Sequence, residues 1–263
     1  MATTAADDTE GTPSGAVKSS LRTLEILELL SSSPRQTIAS MSRDLGIPKS
    51  SLHGLLHTMV GRGWLETDQT GTLYSLGVRA FLTGAAFVES DDLVTLAQPA
   101  LDLIAERTGE TVHLGRLEGG DVVYLAKRES RHALRLFSAV GRRLPAHATA
   151  LGKSILATFD DDEVDRRLSW PLEALTPQTI TDPAALHAEL ADARRKTYAS
   201  DNGENAPGIR CVAVALQPTR GSYSAISCSV PASRMTEQHR ADIIDALMVA
   251  RTTIDSLSRP LRR

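Results

Sequence analysis

The stretch Thr37–Leu76, TIASMSRDLGIPKSSLHGLLHTMVGRGWLETDQTGTLYSL, decides how this chain is read. Thr37 is a good N-cap, and Ile38, Met41 and Leu45 make the apolar side of a short helix that Gly46 ends. Pro48 suits the first position of the next helix. There Leu52, Leu55, Leu56, Met59 and Val60 fall at i, i+3, i+4, i+7 and i+8, one buried stripe, before Gly61 and Gly63 close the helix. Two short apolar runs then flank Asp68-Gln69-Thr70-Gly71, a hairpin signal. Upstream, Val17–Leu30 has helical spacing, with Leu21, Leu24, Leu27 and Leu30 as its main stripe. Helix, helix, tight turn, helix and hairpin within about 60 residues make a winged helix-turn-helix. Its third helix is the one that enters the major groove. Arg43, Lys49, Ser50, Ser51, His53 and His57 are its candidate DNA contacts, with Lys49 placed for a phosphate. A merely solvated helix face explains these residues equally well on their own; the helix before and the hairpin after favour DNA.

The 263 residues suffice for two domains, and 41% apolar with 23% charged residues is an ordinary globular balance. A net charge of −3 excludes a globally basic nucleic-acid binder, so any DNA contact is local. Aromatics at 4% argue against stacking on single strands. Cys211 and Cys228 are too few for a disulfide framework or a structural zinc site; a reduced cytoplasmic setting fits, and no metal or cofactor is expected. MATTAADDTEGTPSG, residues 1–15, is unlike a signal peptide and resembles a disordered tail, and no apolar run reaches membrane-span length. The expected division is a winged helix over 16–76, a linker and dimerisation helix over 77–90, and an α+β domain over 91–263. In the linker, Val78, Phe81, Leu82, Ala85 and Val88 need a partner surface. The last part offers a helix over 93–107, paired strands around Glu118-Gly119-Gly120-Asp121, a third strand ALRLFSAVG, and a helix from Ala148. Another helix starts at Asp160–Glu163 and one opens at Asp182-Pro183. Two strands, IRCVAVAL and SYSAISCSV, precede a closing helix over 235–257.

The segment PAHATALGKSILA, Pro145–Ala157, contains Gly152-Lys153-Ser154, the ending of a phosphate-binding P-loop. A P-loop needs glycine five positions before that pair, where His147 stands. The intervening Ala148, Thr149, Ala150 and Leu151 favour helix over an open loop. A nucleotide is therefore not expected, and Lys153 should end in solvent or a local salt bridge.

Together TIASMSRDLGIPKSSLHGLL, GTLYSLG, PAHATALGKSILA and NAPGIRCVAVAL…SAISCSVP resemble the IclR family of bacterial transcriptional regulators over about 16–257. The resemblance implies a winged-helix DNA-binding domain, a dimerising linker helix and a GAF-like C-terminal domain with a mainly antiparallel sheet. It implies a homodimer or dimer of dimers on palindromic double-stranded operator DNA, controlled by a small carboxylic acid, aliphatic or aromatic. Carried over by position, its effector pocket takes Ala150, Leu151, Asp201, Cys211, Ser227 and Ser229. A helix start offers unpaired N–H groups to an anion, and two serines two apart on a strand share a face. Leu134 and Leu136, also two apart, are candidates for an apolar wall. Without the resemblance, Ser227 and Ser229 fit backbone bonding equally well. Two departures stand out: Gly54 where the family usually has arginine, and Thr72 at a wing position often basic. Across Val17–Ser75, six basic residues face five acidic ones, which implies few phosphate contacts and a shallow salt dependence. The rival reading is a small-acid-processing enzyme with Cys211 as nucleophile and His147 as base; no catalytic signature surrounds Cys211.

Overall fold

A computed structural model describes residues 17–136 and 138–262. The expected tail, 1–15, lies outside them. The chain divides into two compact units between Phe87 and Val88.

In the first unit α1 (Lys18–Ser32) precedes α2 (Ile38–Asp44) and α3 (Lys49–Gly61). Thr37 and Ser40 form a reciprocal capping box that starts α2. Gly46 sits at φ +64°, a left-handed turn that costs glycine little, and Pro48 stands at the N-cap of α3, one residue before the expected first helical position and with no side-chain capping bond. Leu52, Leu56 and Met59 of α3 pack with Met41, Ile47 and Leu65, while Leu55 and Val60 flank them half-buried. The stripe of α1 differs from the leucine pattern. Ile26 and Leu30 are buried and Leu24 is exposed, because α1 meets the other helices along an edge that the leucines only partly mark. The wing is β1 (Leu65–Thr67) against β2 (Tyr74–Leu76). Its turn is organised by Asp68, whose carboxylate accepts the Thr72 and Leu73 N–H groups and the Thr70 hydroxyl at 2.7–3.0 Å. These bonds, the Leu73 N–H first, hold that acid below its usual range. Helix α4 (Val78–Ser90) spans the division between the units, and none of its residues is buried.

The second unit is a six-stranded, wholly antiparallel sheet covered by helices on both faces. Its elements in chain order are α5 (Asp92–Thr108), β3 (Thr111–Glu118), β4 (Asp121–Arg128), β5 (Arg143–Pro145), α6 (Ala150–Leu156), α7 (Asp161–Arg167), α8 (Pro183–Lys196), β6 (Ala199–Asn202), β7 (Ile209–Ala215), β8 (Ser224–Pro231) and α9 (Glu237–Leu257). The strand order is β5-β4-β3-β8-β7-β6. Side chains alternate across the sheet. Ile226, Cys228 and Val230 of β8 meet α5 and α9 through Leu101, Ile104, Ile243 and Leu247. Ala225 of β8, with Val122 and Ala213, meets α6 and α8 through Leu151, Ile155, Leu186 and Leu190. Ser227 and Ser229 share the α6 side with Ala225, so two hydroxyls stand in a buried, otherwise apolar row.

Two expectations are corrected. ALRLFSAVG is not a strand in its described residues. The edge position beside β4 is taken by β5, which follows the tight turn at Gly141 (φ +84°). The period-2 pairing of Leu134 with Leu136 therefore lapses. A short edge strand, β6, pairs with β7 in a stretch that reads as a turn in sequence.

Candidate functional site

Gly152-Lys153-Ser154 does structural work at the start of α6. Thr149 caps the helix, its hydroxyl accepting the Gly152 N–H at 3.0 Å. A Cβ on Gly152 would lie 2.1 Å from the Ala146 carbonyl oxygen, so only glycine lets the preceding turn pack there. The Lys153 ammonium is fully buried. It donates to Glu204 Oε1 at 2.7 Å and Oε2 at 2.9 Å, and to Glu189 Oε1 at 3.0 Å. The Ser154 hydroxyl donates to the Leu151 carbonyl at 2.8 Å. Neither the Lys153 nor the Ser154 side chain is free for a phosphate, and Lys153 ties α6 to the loop after β6.

Above that tie lies a small pocket. It is lined by Thr149, Ala150 and Leu151 of the α6 start, Asp201 of β6, Asn205 and Ala206 of the following loop, Ile209 and Cys211 of β7, and Ser227 and Ser229 of β8. Tyr124 of β4 and Leu136 complete the wall. Every expected effector residue except Leu134 is brought together. Leu134 is 65% exposed and outside the lining, because its segment is irregular and no strand turns it inward. The free space is about 10 Å³, room for a single water.

The pocket is chemically graded. With Gly152 N–H on Thr149, the Ala150 and Leu151 N–H groups remain the open donors of the first helical turn. The Cys211 thiol donates to the Ser229 hydroxyl at 3.3 Å, its partner across the β7–β8 register. The Ser227 hydroxyl has no bond to a described residue. Asp201 Oδ1 accepts the Glu204 N–H at 2.7 Å. Burial pushes the Asp201 carboxyl up to about 6, with the neighbouring Glu204 charge adding to it and the Glu204 N–H opposing. Burial likewise raises the Tyr124 hydroxyl and raises Cys211 well above an ordinary thiol.

These shifts bear on the enzyme reading. Cys211 is held as the neutral thiol, the unreactive form. The His147 imidazole hydrogen-bonds the Glu173 carbonyl at 3.0 Å, not the thiol. Among the described residues the groups beside the thiol are the Ser229 hydroxyl and the Asp201 carboxyl, and no imidazole activates it.

Sequence reasoning missed Tyr124, Thr149, Asn205, Ala206 and Ile209 of the lining. Tyr124 was accessible in principle. It stands two residues from Val122 on β4, hence on the α6 side, and stacks on His113 with ring centroids 4.3 Å apart.

In the first unit, Lys49, Ser50, His53, Gly54 and His57 are exposed on the α3 face opposite the core, and Arg43 is exposed in the last turn of α2 beside Asp44 at 3.2 Å. Ser51 is half-buried, turned toward the packed side. A Cβ at Gly54 meets nothing within 4 Å, so the helix centre is open to an approaching surface.

Comparison with known proteins fits this geometry. A model of the IclR helix-turn-helix domain matches residues 19–69, and one of the bacterial transcriptional regulator IclR C-terminal domain matches 85–256. The HTH-type transcriptional regulator BhcR of Paracoccus denitrificans is 36% identical over 239 residues, 90% of this chain and 86% of that one. The crystal structure of an IclR-type regulator from Alicyclobacillus acidocaldarius has a TM-score of 0.82 at 27% identity, covering 92% of this chain and 99% of that one. An IclR homologue from Microbacterium hydrocarbonoxydans, solved with 4-hydroxybenzoate, has a TM-score of 0.73 at 26% identity, covering 91% and 100%.

Proposed function

Because the chain belongs to the IclR family of bacterial transcriptional regulators, with a helix-turn-helix DNA-binding domain and a C-terminal effector domain, we propose that a small organic acid held in the pocket at the α6 start sets its affinity for operator DNA. One observation carries this: Leu136, Ala150, Leu151, Asp201, Cys211, Ser227 and Ser229, distant in sequence, line one narrow pocket that also holds the open N–H groups of a helix start and two serine hydroxyls. The relative solved with 4-hydroxybenzoate supports an organic acid as the ligand class. The acid's carboxylate sits against the Ala150 and Leu151 N–H groups and the serine hydroxyls, and its carbon end lies toward Leu136 and Tyr124. With about 10 Å³ free, entry requires the Leu136 segment or the 203–208 loop to give way.

On the DNA side, α3 lies in the major groove, with His53, His57 and Ser50 toward base edges and Lys49 and Arg43 toward phosphates. Ser51, half-buried, has at most a backbone role. The chain acts as a homodimer, or a dimer of dimers, on a palindromic site. The apolar α4 surface is its contact: Phe81 is 72% exposed, and Val78, Leu82 and Phe87 are exposed beside it. Effector binding shifts the placement of the DNA-binding domains through α4. A coupling of ~1–3 kcal/mol changes operator affinity about 5–150-fold.

A thermal-shift screen of small aliphatic and aromatic acids tests the pocket, since a ligand of the native state raises its midpoint. Ser229→Ala should weaken the acid while sparing DNA binding in its absence, and His53→Ala should do the reverse. If both variants lose both activities, the assignment of separate sites is wrong.

A further inference from the structure

The effector pocket already contains a buried acid. Asp201 is 3% exposed and lines the pocket beside Cys211 and Ser229. The nearest cation, Lys153, acts on it only through its charge, as a weaker effect than burial and the Glu204 charge that raise it, and makes no bond to it. Lys153, from α6, spends its ammonium on both oxygens of Glu204, in the loop after β6, and on Glu189 of α8, all within 3.0 Å. One positive charge therefore already faces two carboxylates. The other titratable groups around Asp201 are Cys211 on β7, its partner in the strand register, and Tyr124 on β4, both kept neutral by burial. Asp201 is bonded by the Glu204 N–H on Oδ1, and the Asn205 N–H and the Cys211 thiol also bear on its carboxyl.

A carboxylate entering this pocket brings a second anion to a narrow space with about 10 Å³ to spare. Two carboxylates in contact, away from water and without a cation between them, do not both stay ionised; the pair retains one proton. We propose that the effector enters as its anion together with one proton, and that Asp201, protonated, donates its O–H to the effector's carboxylate while Oδ1 keeps the Glu204 N–H. The inference rests on the pocket assignment made above and adds to it that effector binding is proton-linked. Asp201 then selects for a carboxylate in the acceptor role, and the regulator responds to acid and pH jointly. The upward displacement of Asp201 by burial acts in the same direction. A ligand that instead donated a hydroxyl to ionised Asp201 would bind with no proton.

The test uses the full chain with acetate, propionate, benzoate and 4-hydroxybenzoate as probes. Affinity is measured by calorimetry from pH 5.5 to 8.5, in buffers of different ionisation enthalpy so that protons are counted. The expected result is uptake approaching one proton per acid above pH 7, with affinity falling about tenfold per pH unit there. Asp201→Asn keeps an acceptor for Glu204 and places a fixed N–H donor at the acid. It should bind with a flat pH profile and take up no proton. A flat wild-type profile without proton uptake overturns the proposal and leaves the pocket assignment standing. Proton uptake that persists in Asp201→Asn overturns it as well. If no probe binds at any pH, the pocket assignment itself fails and this inference with it. Should Asp201→Asn not fold, the wild-type profile and proton count decide alone.

Discussion

Replacing Lys153 with methionine removes the charge that, among the described residues, balances Glu204. The Glu204 side chain is 4% exposed and keeps, after the substitution, just the Asn202 N–H at 3.3 Å. Glu189, about a third exposed, can turn to water and is not stranded. Breaking one side of a buried ion pair costs about 3–5 kcal/mol, because an uncompensated charge remains in a low dielectric. Removing both charges, in Lys153→Met/Glu204→Met, should recover most of the loss. Trp64 lies in the first unit and Trp170 in the second, so in a Trp64→Phe background urea unfolding followed by Trp170 fluorescence reports the second unit alone. A Lys153→Met loss below about 1 kcal/mol at pH 7.5, or one that the double substitution does not relieve, would refute the reasoning, since an exposed pair contributes no more than that.

Gly152→Ala puts a Cβ 2.1 Å from the Ala146 oxygen, and a backbone shift at the α6 start should cost about 1–3 kcal/mol or more, read as a fall in the second unit's urea midpoint. Gly54→Ala, in open space mid-helix, should stabilise the first unit by about 1 kcal/mol, read by urea unfolding of a Trp170→Phe background with Trp64 as reporter. Gly54→Arg should also tighten operator binding, by about 1–3 kcal/mol if the new guanidinium reaches a base, measured by fluorescence anisotropy. Asp201 is raised from 3.8 to about 6 in the fold, so the native state binds the extra proton. The neutral form's advantage is full at low pH and is lost as pH rises through about 6. Stability should therefore fall by about 3 kcal/mol across that window through this group, and Asp201→Asn should remove that component of the pH profile.

The helix-turn-helix was legible because its determinants are local. The Thr37 cap, the turn at Gly46 and the Leu52–Val60 spacing each fix structure within a few residues. The α1 stripe was less so, since which of Leu24 and Ile26 is buried depends on the direction from which α2 and α3 approach. The edge of the large sheet was misleading for a similar reason. ALRLFSAVG has apolar residues in alternation, but a strand needs a neighbour, and β4 is already paired by β5. Four-residue β6 was hidden by Asp201-Asn202-Gly203, whose turn chemistry is real and begins where the strand ends. In the pocket, the serine pair and the helix start could be found from spacing and resemblance. The Lys153–Glu204 tie joins residues 51 apart, and no local pattern announces it.

The most direct measurement is operator affinity with and without a pocket-binding acid, by fluorescence anisotropy on a duplex that the full-length protein selects from random sequence. The account predicts that an acid which raises the thermal midpoint also changes operator affinity about 5–150-fold, and that Ser229→Ala weakens the acid dependence. An acid that binds the pocket yet leaves operator affinity unchanged would contradict it.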